Sequence, residues 1–175
     1  IKARLGNEIK VYAEKYHFKA ADVQQIIHLV DMDGAFVDDS VIIEDETKDK
    51  FVYTLKSVIV PNRQVAIERN EHKRENLNTL SSRTSVMWNN IPYKIYYMSC
   101  NLDHVLHDKP NATDEEKKAN SLDFTERYYD DINAFIKFIS ESTFSQCTGY
   151  KESWDYIKQD NHSLERNSNL GLCFI

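Results

Sequence analysis

The stretch VQQIIHLVDMDG (residues 23–34) decides the reading of the fold. Residues 23–30 are mostly apolar and β-branched, too few for an ordinary helix, and they run straight into Asp31-Met32-Asp33-Gly34. A short run of this kind suits a strand buried on both faces, as in a parallel sheet. Gly34 lets the chain turn away sharply at its end. A second run, YKIYYM (93–98), is entered through Pro92 and leaves through Ser99-Cys100-Asn101, and it reads as another strand.

Working outward from these two runs, helical stretches alternate with strand-like ones. Residues 7–20 carry Ile9, Val11, Tyr12, Tyr16 and Phe18 at roughly helical spacing. Ile42 and Ile43 lie in acidic company, and 51–60 reads as an extended segment stopped by Pro61. Residues 62–80 suit a largely exposed helix. Thr113-Asp114-Glu115-Glu116 is a capping box that opens a helix to about Tyr129. Residues 131–139 and 150–159 suggest two more helices, so 111–175 is mainly helical. Strands separated by helices point to a layered α/β/α single domain over 1–175, with a small, mostly parallel sheet of Rossmann-like type.

Composition sets the outer bounds. The 175 residues suit one domain. Twenty-two basic against 28 acidic side chains leave a net charge of −6, which argues against a nonspecific nucleic-acid coat protein while leaving room for a local basic groove. No apolar run approaches the roughly 20 residues of a membrane-spanning helix, so no membrane partner is expected. The glycines, at 6, 34, 149 and 171, are too scattered for a dinucleotide fingerprint or a P-loop. Cys100, Cys147 and Cys173 are odd in number and form no C-x-x-C pair, so neither a disulfide framework nor a cysteine zinc site is expected, and a reducing cytoplasm is the default. The first residue is Ile1 rather than Met, and the chain reads as a fragment or as lacking a disordered start. Nothing in the sequence sets the oligomeric state.

The best candidate site is Asp31-x-Asp33-Gly34 at the carboxyl end of an apolar strand, where open α/β sheets bind ligands. Two carboxylates one residue apart suit a hard cation such as Mg²⁺ or Mn²⁺, and the cation suits phosphate oxygens. The same residues also suit a plain acidic turn. Past the second strand, Ser99 and Asn101 are candidate phosphate contacts, and Asp103 would complete a metal site if the two strands are neighbours. His104 and His107 are three apart and would share a helix face, one packed and the other solvated being the plainer reading. His28 reads as a hydrogen-bonded core histidine. Arg63, Arg69, Lys73 and Arg74 form a candidate nucleic-acid contact, although the interleaved Glu68, Glu71 and Glu75 make a salt-laced, solvated face the better reading.

The blocks VQQIIHLVDMDGAF and YKIYYMSCNLDHVLH together resemble the Toprim-like nucleases of bacterial phage-defence proteins, of the RloB and OLD kind. The resemblance covers roughly residues 20–110. It implies a Mg²⁺-dependent, phosphodiester-cleaving domain with Asp31 and Asp33 as ligands and Asp103 nearby. It also implies a catalytic Glu after a first strand. Glu8 and Glu14 fall in the expected helix and do not take that place, so on this resemblance either the first strand is absent from the chain or the protein is not an active member. VDMDGAFVDD is also similar to the opening motif of haloacid-dehalogenase-type phosphatases, which would make Asp31 the nucleophile, Asp33 the acid/base and Ser99 a phosphate contact. A third reading, a non-catalytic interaction domain, leaves the acidic strand end merely solvated.

Overall fold

A computed structural model describes residues 2–86, 88–146 and 148–175, with only the backbone described at Lys2. Ile1 and Cys147, both singled out in the sequence, lie outside the described residues.

Helix α1 (Lys2–Lys15) leads to strand β1 (Ile26–Asp31), which lies parallel to β5 (Tyr93–Met98), Ile26 opposite Tyr93 and Asp31 opposite Met98. Alternation places Ile26, Val30, Tyr93, Ile95 and Tyr97 on one face. That face packs on Met32, Leu77, Leu80, Trp154 and Ile157. On the other face Tyr96 and Met98 of β5 are buried against Val105, Ile139 and Phe144. β1 differs from the buried strand its apolar run suggests. Its residues on this second face, Ile27 and Leu29, stay 49% and 47% exposed. β5 is the only strand that pairs with it among the described residues, so β1 is an edge strand.

The far edge of β5 is closed by side chains instead of a strand. Tyr97 N–H donates to Asn169 Oδ1 (2.8 Å), Ser168 Oγ donates to Tyr97 O (2.8 Å), and Tyr150 Oη donates to Ile95 O (2.8 Å). Buried backbone groups need partners, and the tail around Ser168 and Asn169 supplies them.

The acidic middle of the chain forms a second sheet, in the order β2 (Ile42–Glu44), β4 (Val58–Val60), β3 (Val52–Tyr53). β2 runs parallel to β4 and β3 antiparallel to it. The single extended segment expected over 51–60 is thus a tight hairpin, closed by Thr54 N–H donating to Ser57 O (2.9 Å). Val37, Ile42, Val58, Val60, Ala66 and Leu164 make its core.

Helix α2 (Arg63–Ser81) starts where Asn62 Oδ1 accepts from Val65 N–H (2.9 Å). α3 (Leu102–His107) is capped in the same way by Asn101, and α4 (Asp114–Tyr128) by the Thr113–Glu116 capping box. α5 (Ile132–Glu141) and α6 (Tyr150–Ile157) complete the helical C-terminal part. The chain is a mixed α/β fold with small, partly parallel sheets. Among the described residues no helix is long and apolar enough to cross a membrane.

Candidate functional site

β1 and β5 are parallel neighbours, so their carboxyl ends open side by side. β1 leaves through Met32-Asp33-Gly34, and β5 through Ser99-Cys100-Asn101 into α3. The two exits are tied together: Met32 N–H donates to Met98 O (2.9 Å), and Asp33 N–H donates to Cys100 O (2.7 Å). Both turns use left-handed backbone, at Asp33 (φ 48°), Gly34 (φ 66°) and Cys100 (φ 56°). At Gly34 the requirement is strict. Beyond its φ, a Cβ there would stand 3.1 Å from Val58 Cγ2 and 3.2 Å from Leu164 Cδ2.

Asp31 sits at the end of β1, partly desolvated. Burial, then the neighbouring Asp33 charge, raises its carboxyl to about 6, against opposing pulls from Lys73 and from the backbone N–H of Leu102; Asp103 adds a small further push. Asp31 therefore feels the charge of two other carboxylates at this strand end. Asp33 is ion-paired with Lys73 of α2, while Asp103 Oδ1 accepts from Asn120 Nδ2 (2.8 Å). Among the described residues no three His, Cys, Asp or Glu side chains stand close enough to share one metal ion. The pair Asp31–Asp33 nevertheless suits Mg²⁺, which commonly takes one or two carboxylates and fills its remaining positions with water and phosphate oxygens.

The cations of α2 divide. Arg69, Lys73 and Arg74 turn toward the strand-end loop. Arg69 Nη2 donates to Asp33 O (2.7 Å), and Arg74 Nη1 to Ala35 O (3.3 Å). Arg63, in the first turn of α2, points elsewhere, donating to Asp39 O (2.7 Å) and Ile42 O (3.1 Å). Glu68, Glu71 and Glu75 are exposed, so the interleaved charges segregate, cations inward and acids outward.

Ser99 is fully buried, and its hydroxyl accepts from Asn167 N–H (2.6 Å). Asn101 caps α3 through His104 N–H (3.0 Å) and donates to Pro110 O (2.7 Å). Both side chains are thus engaged in holding the turn. Burial, aided by Asp33 and Asp31, raises the Cys100 thiol far above its usual range, so it stays protonated. Cys100 and Cys173 are free thiols. His104 is buried and held neutral by desolvation, and His28 Nδ1 shares a hydrogen bond with Tyr93 Oη (2.7 Å).

Two site residues escaped the sequence reading. Asn70 is buried on α2, its Oδ1 accepting from Arg69 Nη2 (2.7 Å) and its Nδ2 donating to Gly34 O (3.4 Å). The available signal was its place on the stripe Ala66, Asn70, Leu77, Leu80, an amide where an apolar side chain belongs. Tyr53 reaches the same corner, its phenol pushed up to about 12 by burial and by Asp33. Nothing in a two-residue strand pointed to it.

Compared with protein-family models, with curated proteins and with solved structures, the chain matches none.

Proposed function

We propose that this chain is a Mg²⁺-dependent, phosphodiester-cleaving domain of layered, Toprim-like architecture, acting on nucleic acid. The observation that carries the reading is Asp31. It is a partly buried carboxylate at the end of a parallel strand, raised to about 6, with a second carboxylate two residues on and a third on the neighbouring element. Such a like-charge cluster costs stability unless a cation relieves it, and a carboxylate so perturbed by burial and a neighbouring charge is a functional-site candidate. A bound Mg²⁺ would neutralise phosphate charge and lower the pKa of an attacking water.

The protein's own residues would supply the rest. Asp31 and Asp33 hold the cation. Lys73, now paired with Asp33, is close enough to turn to a phosphate oxygen once Asp33 ligates metal. Arg69 and Asn70 hold the loop carbonyls, so that the two carboxylates keep their spacing. Tyr53, with its phenol protonated, is a neutral donor at the rim. The phosphatase reading has one observation in its favour, a lysine directly on the second aspartate of the motif. It would make Asp31 a covalent nucleophile.

Thermal unfolding against Mg²⁺ and Mn²⁺, wild type beside Asp31→Asn, tests the proposal. A metal-dependent rise in wild type follows RT ln(1 + [L]/Kd) and vanishes in the variant. No rise in wild type removes the metal site. Trapping of an aspartyl-phosphate mimic on Asp31 would favour the phosphatase.

A further inference from the structure

A cavity of about 460 Å³ lies beside the carboxylate cluster, between β1, β5, α3, α4 and α5. That volume is within the range of small-molecule sites. Its walls are apolar: Leu29 and Met98 from the sheet, Leu106 from α3, Phe124 from α4. Its polar groups are few, namely Asp103, His107, Lys117 and the hydroxyls of Ser121 and Thr125. The Phe124 ring is held edge-to-face by Phe135 (centroids 5.9 Å) and by His107 (6.1 Å), so its position is set without a ligand. Asp103 belongs to both places, lining the cavity and adding to the charge felt by Asp31.

We propose that this cavity takes the base of an unpaired nucleotide whose phosphate lies at the Asp31–Asp33 strand end, which makes the substrate single-stranded nucleic acid. The inference rests on the phosphodiester reading of that strand end. A nucleobase has flat apolar faces and a hydrogen-bonding edge. The cavity offers the matching pair, an aromatic and aliphatic slot with a carboxylate, an ammonium and hydroxyls beside it. A base within a duplex is stacked and paired on that edge and would have to leave the helix before entering. The carboxylate–lysine combination at Asp103 and Lys117 gives donors and acceptors to the base edge without making the slot a plain anion site.

The test separates the base from the metal. Binding of fluorescein-labelled oligo(dT) is read by anisotropy with Ca²⁺ in place of Mg²⁺, for wild type and for Ser121→Trp, which fills the cavity from an exposed position on α4. Expected is binding that weakens about tenfold or more in the variant, with an unlabelled duplex of equal length competing correspondingly less well. Phe124→Ala is the second variant and should weaken binding in the same sense. Unchanged affinity in both variants, equal competition by duplex, or no binding to wild type overturns the proposal. The Mg²⁺ thermal shift is measured on separate samples of the same proteins, free of chelator and of other divalent cations. A shift retained in Ser121→Trp shows that the variant is folded. Cavity-dependent oligonucleotide binding without any metal shift would leave the base site standing and remove the metal reading, and the reverse pattern would do the opposite.

Discussion

Asp31 is where the chemistry of single residues is most exposed to measurement. Its folded carboxyl lies at about 6 and its ordinary value at 3.8. A raised acid holds its proton more tightly when folded, so the folded state binds more protons between these values and stability falls as pH rises from about 4 to 6. Above 6 the ionised, partly desolvated carboxylate is a standing cost. Asp31→Asn should therefore melt higher than wild type at pH 7 in EDTA, and the gap should close as the pH is lowered from 6 toward 4. Thermal scans at pH 7 and pH 4 check this, and a variant that melts lower at both would show that Asp31 is stabilised rather than strained. Asn70 is the complementary case, an amide whose burial is offset because both ends of its side chain are hydrogen-bonded.

At the scale of elements, the two strands of the parallel pair look alike in sequence but differ in what covers them. Ile95 of β5 is fully buried, whereas Ile27 of β1 is half-exposed. Ile95→Ala should cost about 2–5 kcal/mol through lost burial and a cavity. Ile27→Ala should cost under about 1 kcal/mol, because its side chain gains little from burial in the first place. Urea unfolding of the two variants makes the comparison, and equal losses would mean that β1 is covered on both faces in solution. α2 has its own division of labour. Its inner face carries Ala66, Asn70, Leu77 and Leu80, flanked by Arg69 and Lys73, and these clamp the strand-end loop, while its glutamates remain in water.

Over the whole molecule, the response to acid depends on groups that desolvation holds neutral. His28, His104 and His107 all lie below the usual 6.5, burial being the first cause in each. The unfolded chain takes up these protons more readily. Their contribution is fully present above 6.5 and is lost as the pH falls through the range below it. Asp31 acts in the opposite sense, but it is one group against three. Stability in denaturant titrations should therefore drop between pH 7 and pH 5. His104, on α3 and 3% exposed, should carry the largest share. A profile that stays flat or rises on acidification would contradict this.

Much of the layout follows from local chemistry that any reader of the sequence meets. The 93–98 run, the stop at Pro61 and the Thr113 capping box each set an element boundary through short-range sterics and hydrogen bonding, and each lies where the residues put it. The acidic strand end was legible for the same reason, an apolar run stopping at D-x-D-G. Three features depended on tertiary structure. β1 is an edge strand, because exposure depends on which neighbours are present and not on the run's own hydrophobicity. Arg69, Lys73 and Arg74 turn to the strand-end loop while Arg63 turns to Asp39 and Ile42, because helix phase matters only once the helix has a partner. The raised Asp31 exists because folding buries the end of β1, with the Asp33 charge adding to it and Asp103, some seventy residues on in the chain and brought near by the pairing of β1 with β5, giving a smaller push. Spacing along the sequence carries residue identity and local geometry, and burial and charge coupling arise when distant segments share one low-dielectric space.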